Sequence, residues 1–536
     1  MHKKRLLHRF IIFMGVIALL AAGWIIGSVL SPVWSKVLGG DEDALPAASD
    51  LPWELPDTAF SSVDTLDFWV KIYDTLTPGT ITDTGNLYSR AGGVLNFRGT
   101  PLRSPAGKGK LPRIPSDITI QWTFTTAFDT TLTDFGQWGG GTGWTGQPLL
   151  VNWPAATLQR FKNLPDSLYL AETASEVIFG SLCGKVYFLD PATGKPVRRA
   201  LDAGNTVKGT PSVDPSLNGI LYVGQGIPRQ KPFGFRVFDL KKHKPAMFYS
   251  GKDAGSLRGW GAFDSSPVAV GDFLFWPGEN GTLYKFLRTD STIILHSALR
   301  YRVKGKNAPG IESSLAVYKN YGFFGDNHGN IICVDLNTMK PVWRFFNLDD
   351  TDATPVLEME NGVPFLYTGC EVDKQGSVGY SRFVKLNALT GGPVWMQKIR
   401  CRSIRMNGKN YNGGMLATPL PGEGNCKNLI YSNFSQPDSA FNGHLIAFDK
   451  GTGKIIFRTD LEGYSWSSPV GFLTTKGEFL VFTGDVLGYV YLISGDNGKV
   501  LIKKKIGDNF ESSPLVVENS VIFGSRGRNM YRLGFE

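Results

Sequence analysis

Six side chains in this sequence share one position in a recurring unit and carry groups able to bind a charged ligand: Lys208, Asp264, Glu312, Asp352, Trp466 and Glu511. Each lies three residues before the end of a Ser/Thr-Ser/Thr-Pro stretch or a variant of it. The same position holds Thr145 and Leu416 in two further units. Asp264, Glu312 and Asp352 come from consecutive units. Carboxylates brought together repel one another unless a cation or a base intervenes. Asp264, Glu312 and Asp352 are therefore the candidate ligands for Ca2+ or another divalent cation, with Lys208 as counter-charge, Trp466 as a wall and Glu511 completing the acidic set. The competing reading is a ring of solvated rim acids with adjacent serines capping turns. Arg258-Gly259-Trp260, just ahead of Asp264, is a candidate aromatic-basic lip.

The units that must position these groups repeat from Thr126 onward. "ESSLAVYKNYGFFGDNHGNIICVDLNTMKPVWRF" reads as three short strands, a turn and a fourth strand, with Asn-His-Gly and Asn-Thr-Met-Lys supplying the reversals. Anchors at Pro148, Pro211, Pro267, Leu315, Pro355, Pro419, Pro469 and Pro514 are spaced 63, 56, 48, 40, 64, 50 and 45 residues apart. Four short strands per 40–60 residues is the pattern of propeller blades. Equivalent positions then form rings about the axis, which places the residue three before each anchor at one mouth of the channel. Trp343 and Trp395 belong to outer strands, where a large ring wedges between neighbouring blades.

The last unit, "ESSPLVVENSVIFGSRGRNMYRLGFE", lacks its fourth strand. An orphan strand, "DITIQWTFTT" (Asp117–Thr126), precedes the first anchor and carries Trp122 where other units carry Trp343. Unpaired blade edges are a liability, so the orphan is expected to complete the last blade. The expected fold is all-β: an eight-bladed β-propeller of four-stranded blades, closed by an N-terminal strand.

Ahead of the repeats, Phe10–Leu30 is a run of 21 uncharged residues behind Lys3, Lys4, Arg5 and Arg9. At 1.5 Å per residue it spans a hydrocarbon core of about 30 Å. The basic flank stays cytoplasmic and sends the rest outward. Residues 1–9 then form a cytoplasmic basic segment, 10–30 a transmembrane signal anchor (the competing reading being a cleaved signal peptide) and 31–94 an extracytoplasmic linker or arm, followed by the propeller over 95–536. Ser61–Gly79 reads equally as a short helix or a packing arm. The expected location is the inner (cytoplasmic) membrane, single-pass, with the propeller on the periplasmic or extracellular side.

The chain has a formal charge of +9 without a basic block, so no nucleic-acid partner is expected. The six histidines make neither triad nor zinc spacing, which argues against hydrolase and zinc chemistry. Cys183 and Cys333 read as buried apolar residues. One bridge among Cys370, Cys401 and Cys426 is compatible with an oxidising compartment. Insertions such as "QGIPRQKPFGF", "EVDKQGSVGY" and "RCRSIRMNGKNYNGG" offer loops for a protein partner or envelope component. The Gly-rich "DFGQWGGGTGWTG" (Asp134–Gly146) either covers the channel mouth or links the seam strand to the first blade.

These units, with the leading "FRGTPLRS" (Phe97–Ser104), resemble the pyrroloquinoline-quinone (PQQ)-like repeats of the quinoprotein alcohol dehydrogenase superfamily over about Leu95–Phe535. The resemblance implies an eight-bladed propeller. The superfamily contains PQQ- and calcium-dependent alcohol dehydrogenases alongside non-catalytic members that work by protein contacts, such as the propeller lipoprotein of the outer-membrane barrel assembly machine. The dehydrogenases' vicinal cysteine pair and C-x-x-C-H haem motif are both missing here. PQQ is therefore not expected, and a membrane-anchored binding or assembly scaffold is the expectation. A PQQ- or other quinone-dependent oxidoreductase with a site at the channel mouth is the alternative.

Overall fold

The computed structural model describes residues 60–536 apart from 62, 76–78, 83–86, 90, 105–108, 144, 171–173, 407–408 and 439–440. The predicted anchor at 10–30 lies outside the described residues, and no helix among those described is long and apolar enough to cross a membrane.

Apolar residues alternate with turn formers every five to seven positions, so each unit folds as an antiparallel meander. Blade 4 shows the plan: Ala316–Tyr318, Tyr321–Gly325, Asn330–Asp335 and Lys340–Phe346 pair in that order from the axis outward. Eight such sheets are present, beginning at Leu149, Ser212, Val268, Ala316, Val356, Leu420, Val470 and Leu515.

The Ser/Thr-Ser/Thr-Pro stretch has a mechanical role. The hydroxyl just before the anchor accepts the equivalent backbone N–H of the preceding blade: Gln147 N to Thr210 Oγ1 (2.7 Å), Ser266 N to Ser314 Oγ (2.8 Å), Ser314 N to Thr354 Oγ1 (3.0 Å) and Thr418 N to Ser468 Oγ (3.0 Å). These bonds form a belt around the channel. One residue earlier, Ser265, Ser313 and Ser512 each donate to a carbonyl of their own second strand, at Pro277, Gly325 and Gly524. Buried backbone groups need such partners.

The eighth blade is completed as expected. Ile118–Thr125 pairs antiparallel with Asn529–Phe535, with Ile118 opposite Phe535 and Thr125 opposite Asn529. The seam strand even carries the bulge, between Ile120 and Trp122, that the covalently continuous outer strands of blades 4 and 5 have beside Trp343 and Trp395. Trp122 is 8% exposed and donates Nε1–H to Pro191 O of blade 1 (3.0 Å). Trp343 and Trp395 do the same to Ala388 O (3.0 Å) and Lys450 O (2.9 Å) of their next blades. Trp122 and Met530 from the last blade pack with Val177, Phe179 and Leu189 from the first, so the seam has its own apolar core.

Several segments lie outside the meander plan, among them an added strand and a channel plug. Leu66–Ile72 adds a fifth strand to the outer edge of blade 3, pairing with Ser297–Val303, so this part of the Ser61–Gly79 stretch is an arm packed on the propeller as a strand rather than a helix. Residues 94–104 and 109–111 lie along the channel. Val94 bridges to Leu150, Leu95 O accepts Val213 N, Pro101 O accepts Val317 N, Leu102 O accepts Leu357 N, and Gly109–Leu111 pairs in parallel with Phe472–Thr474. Arg103 fastens this plug with Nε to Leu315 O (2.9 Å), Nη1 to Phe97 O (2.5 Å) and Nη2 to Ser266 O (3.1 Å). Arg98 and Arg103 both have positive φ, 63° and 58°, a cost for side-chain-bearing residues that the channel's carbonyls offset.

All five cysteines are buried and unbridged. A bridge among Cys370, Cys401 and Cys426 is therefore not formed; each thiol is buried by its own blade, and burial pushes those of Cys370 and Cys401 up.

Candidate functional site

The channel mouth is where strand starts from successive blades converge, and a small cavity opens there above the plug. Phe97 forms part of its wall, with Thr145, Thr210, Asp264, Glu312, Asp352 and Leu416 from the blades. The space open to the centre of a water molecule is about 20 Å³, room for one water or one bare ion. Asp264, Glu312 and Asp352, the three residues singled out by their shared repeat position, thus face a common space.

They do not form a single triad of ligands. The carboxylates fall into two groups whose oxygens lie within 4.8 Å of one another: Asp264, Glu279 and Glu312, and Asp350, Asp352 and Glu371. Asp352 lies with Asp350 and Glu371 of its own blade, while Glu312 reaches across to Asp264 and Glu279 of the preceding blade. Glu312 faces both groups. Its charge and that of Asp264 add to burial in raising the carboxyl of Glu279 well above the usual range, and its charge adds to burial in raising those of Asp350 and Asp352. Asp350 is pushed up to about 7, against the opposing pull of Lys374. Glu371 is raised by burial and Asp350, although Asn412 Nδ2 donates to its Oε2 (2.8 Å).

Lys208 sits on the blade 2 side and ion-pairs with Asp264, both side chains almost fully enclosed. Burial pulls its ammonium down, but Asp264, Glu279 and Glu312 together outweigh this and hold it charged. Trp260 donates Nε1–H to Glu279 Oε2 (2.7 Å), and Arg258 Nη1 donates to Glu279 O (3.2 Å), so the Arg-Gly-Trp lip closes one side of the first group. Phe135 and Phe233 pack on Trp260 at ring separations of 5.0 and 5.7 Å. Phe135 belongs to a hairpin, Asp129–Thr133 with Gly136–Gly139, that reaches from the seam to blade 3 and exposes Leu132 (79%) and Phe128 (49%).

The remaining ring residues serve the scaffold. Trp466 packs on Leu416 and on Tyr464 (5.2 Å) in a small apolar cluster. Glu511 is buried, accepts from Asn509 Nδ2 (2.7 Å) and pairs with Arg526 (3.2 Å). Glu279, Asp350 and Glu371 were not singled out from the sequence. Glu279 follows the glycine that ends a second strand, as Asp326 and Asp485 do in blades 4 and 7, where the shorter side chain folds back on its own turn. That equivalence was the available signal.

No protein-family model and no curated protein matches the sequence. Among solved structures the chain is similar to BamB from Moraxella catarrhalis, at 13% identity over 78% of this chain and 98% of that one, with a TM-score of 0.44. It is also similar to a europium-containing methanol dehydrogenase, at 13% identity over 84% and 99% with a TM-score of 0.40. A third is a quinohemoprotein alcohol dehydrogenase from Pseudomonas putida, at 13% identity over 85% and 83%, with a TM-score of 0.40. The sheets described above make the chain an eight-bladed β-propeller.

Proposed function

We propose that the chain is a membrane-anchored, extracytoplasmic propeller that acts as a binding or assembly scaffold for a protein or envelope component. The observation that carries this reading is the filled channel. Residues 94–104 and 109–111 occupy the axis, and the space left at the mouth, about 20 Å³, accommodates an ion but not a tricyclic quinone. What faces outward is an apolar lip, where Leu132, Phe128 and Phe135 stand exposed beside Trp260. Exposed apolar clusters of this kind mark interaction surfaces. A photo-crosslinking residue at Leu132 should capture a discrete protein in intact cells, while one at Leu389, in a turn on the opposite face, should not. Saturable PQQ binding by the purified chain, with quinone-dependent dye reduction, would refute the scaffold and restore the oxidoreductase reading.

A second reading is favoured by orphaned oxygens. Asp264 Oδ1, Glu279 Oε1, Asp350 Oδ1 and Asp352 Oδ1 have no hydrogen-bond partner. All-oxygen carboxylate groups suit Ca2+ rather than a softer metal. Calorimetric titration with Ca2+ should then show binding that Glu279→Gln and Asp352→Asn weaken. A flat titration of the native chain removes this reading and leaves the scaffold untouched.

A further inference from the structure

The added strand Leu66–Ile72 does more than widen blade 3. With the outer end of blade 2 it encloses a cleft with about 370 Å³ open to the centres of water-sized molecules. Arg300 forms its back wall and is 2% exposed. Its guanidinium is held by Asp253 and by Tyr73 OH (2.9 Å), while its Nε has no partner. Asp253 is fully engaged, since it also accepts from Tyr284 OH (3.0 Å) and Gly255 N (2.8 Å). A Cβ at Gly255 would lie 2.8 Å from Arg300 Cζ, so a side chain there would push the guanidinium from its place.

Lys71 and Lys252 stand at the rim, both exposed, and Lys71 Nζ lies 4.7 Å from the Tyr73 ring. Among the described residues neither lysine has an acidic partner. Three cations therefore face one acid that is already neutralised, inside a half-enclosed space. Low-dielectric walls focus such a field and favour an anion. Lys71 comes from the added strand and Lys252 from the loop after blade 2, so two ammonium groups from different elements line the cleft, and lysine binds phosphate as a point charge.

We propose that this cleft binds a phosphate-bearing group, with Lys71 and Lys252 contacting its oxygens and Arg300 setting the field behind them. The two sources of that chemistry are a phospholipid headgroup and free phosphate. The test is calorimetry on the full chain in a non-ionic detergent, using inorganic phosphate, dihexanoyl phosphatidylglycerol below its micelle concentration, and dihexanoyl phosphatidylcholine. Phosphate should bind, and Lys71→Glu with Lys252→Glu should weaken it roughly tenfold or more. Gly255→Ala, which leaves every charge in place but shifts the wall, should also weaken it. An unchanged melting temperature for the lysine variant shows that folding is intact, because both residues are exposed. Phosphatidylglycerol competing with phosphate assigns the cleft to headgroups; binding of inorganic phosphate alone assigns it to the free ion. Absence of binding by any probe, or equal binding by the lysine variant, overturns the proposal.

Discussion

Replacing Trp122 by alanine tests whether the ring is held shut by a strand more than 400 residues from its partner. A tryptophan buries about 150–250 Å² on packing, which at about 25 cal/mol per Å² amounts to roughly 4–6 kcal/mol. A compact unfolded chain already hides about a third of that, leaving roughly 3–4 kcal/mol. The indole N–H to Pro191 O contributes about 1 kcal/mol more. Gly194 packs directly on the ring, so the seam has little with which to refill the hole. Trp122→Ala should therefore cost about 4 kcal/mol in urea unfolding. Trp343→Ala is the matched control, because its indole makes the equivalent bond to Ala388 O and packs on Gly391, but between blades joined by the chain. Both variants should lose similar global stability. Only Trp122→Ala should also speed amide exchange in Asn529–Phe535, since only there does the opened interface release a terminal blade. A loss below about 1 kcal/mol, or equal protection of that strand in both variants, refutes the latch.

Three further outcomes follow from the channel and its mouth. Arg103→Ala leaves three buried carbonyls without their donor and should cost about 3–5 kcal/mol, with new protease cleavage within 94–111 of the otherwise folded chain. Ser314→Ala removes the acceptor of Ser266 N and should cost about 1–3 kcal/mol, whereas Ser314→Thr should be restored to near native stability, because Thr210 and Thr354 already fill equivalent places in the belt. Glu279, Asp350, Asp352 and Glu371 have folded-state pKa values above their unfolded ones, so the folded state keeps protons that the unfolded chain releases. Their contribution is fully present below about pH 4 and is lost as pH rises through the folded values, near 7 for Asp350. The melting temperature should fall between pH 5 and 8, and Asp350→Asn should make that fall shallower; an unchanged slope counts against the assignment.

The blades were legible because a hairpin is specified locally. Asn-His-Gly at 327–329 dictates one reversal, and the hydroxyl-hydroxyl-proline stretch recurs because the belt needs a hydroxyl in nearly every blade. The seam was legible by subtraction, one strand missing at one end and one unclaimed at the other. The channel plug was not. "FRGTPLRS" has no periodicity, and its two left-handed arginines are tolerable only where Thr418 O, Leu315 O and Ser266 O already converge, which is a property of the closed ring. Glu279 was hidden for a related reason. Asp326, Asp485 and Glu279 look alike in sequence, but the two aspartates bond their own turns, while the longer Glu279 side chain reaches Trp260 and Glu312.

The plug and the latch are one continuous piece of chain, and this changes how the ring should unfold. Between residues 94 and 125 the backbone or a side chain touches every blade: Val94 the first, Leu95 the second, Phe97 the third, Pro101 the fourth, Leu102 the fifth, Arg98 the sixth, Gly109–Leu111 the seventh and Ile118–Thr125 the eighth. A repeat array whose units contact only their neighbours loses stability piecewise from its ends. Here each blade also contacts a shared axis, so releasing one weakens the support of all the others. Urea unfolding of the propeller should accordingly follow a single transition, with circular dichroism and tryptophan fluorescence coincident. Arg103→Ala, which loosens the axis and leaves the hydroxyl belt between blades in place, should separate those two signals. Coincident transitions in that variant would mean that neighbour contacts alone make the ring cooperative and that the plug is passive filling.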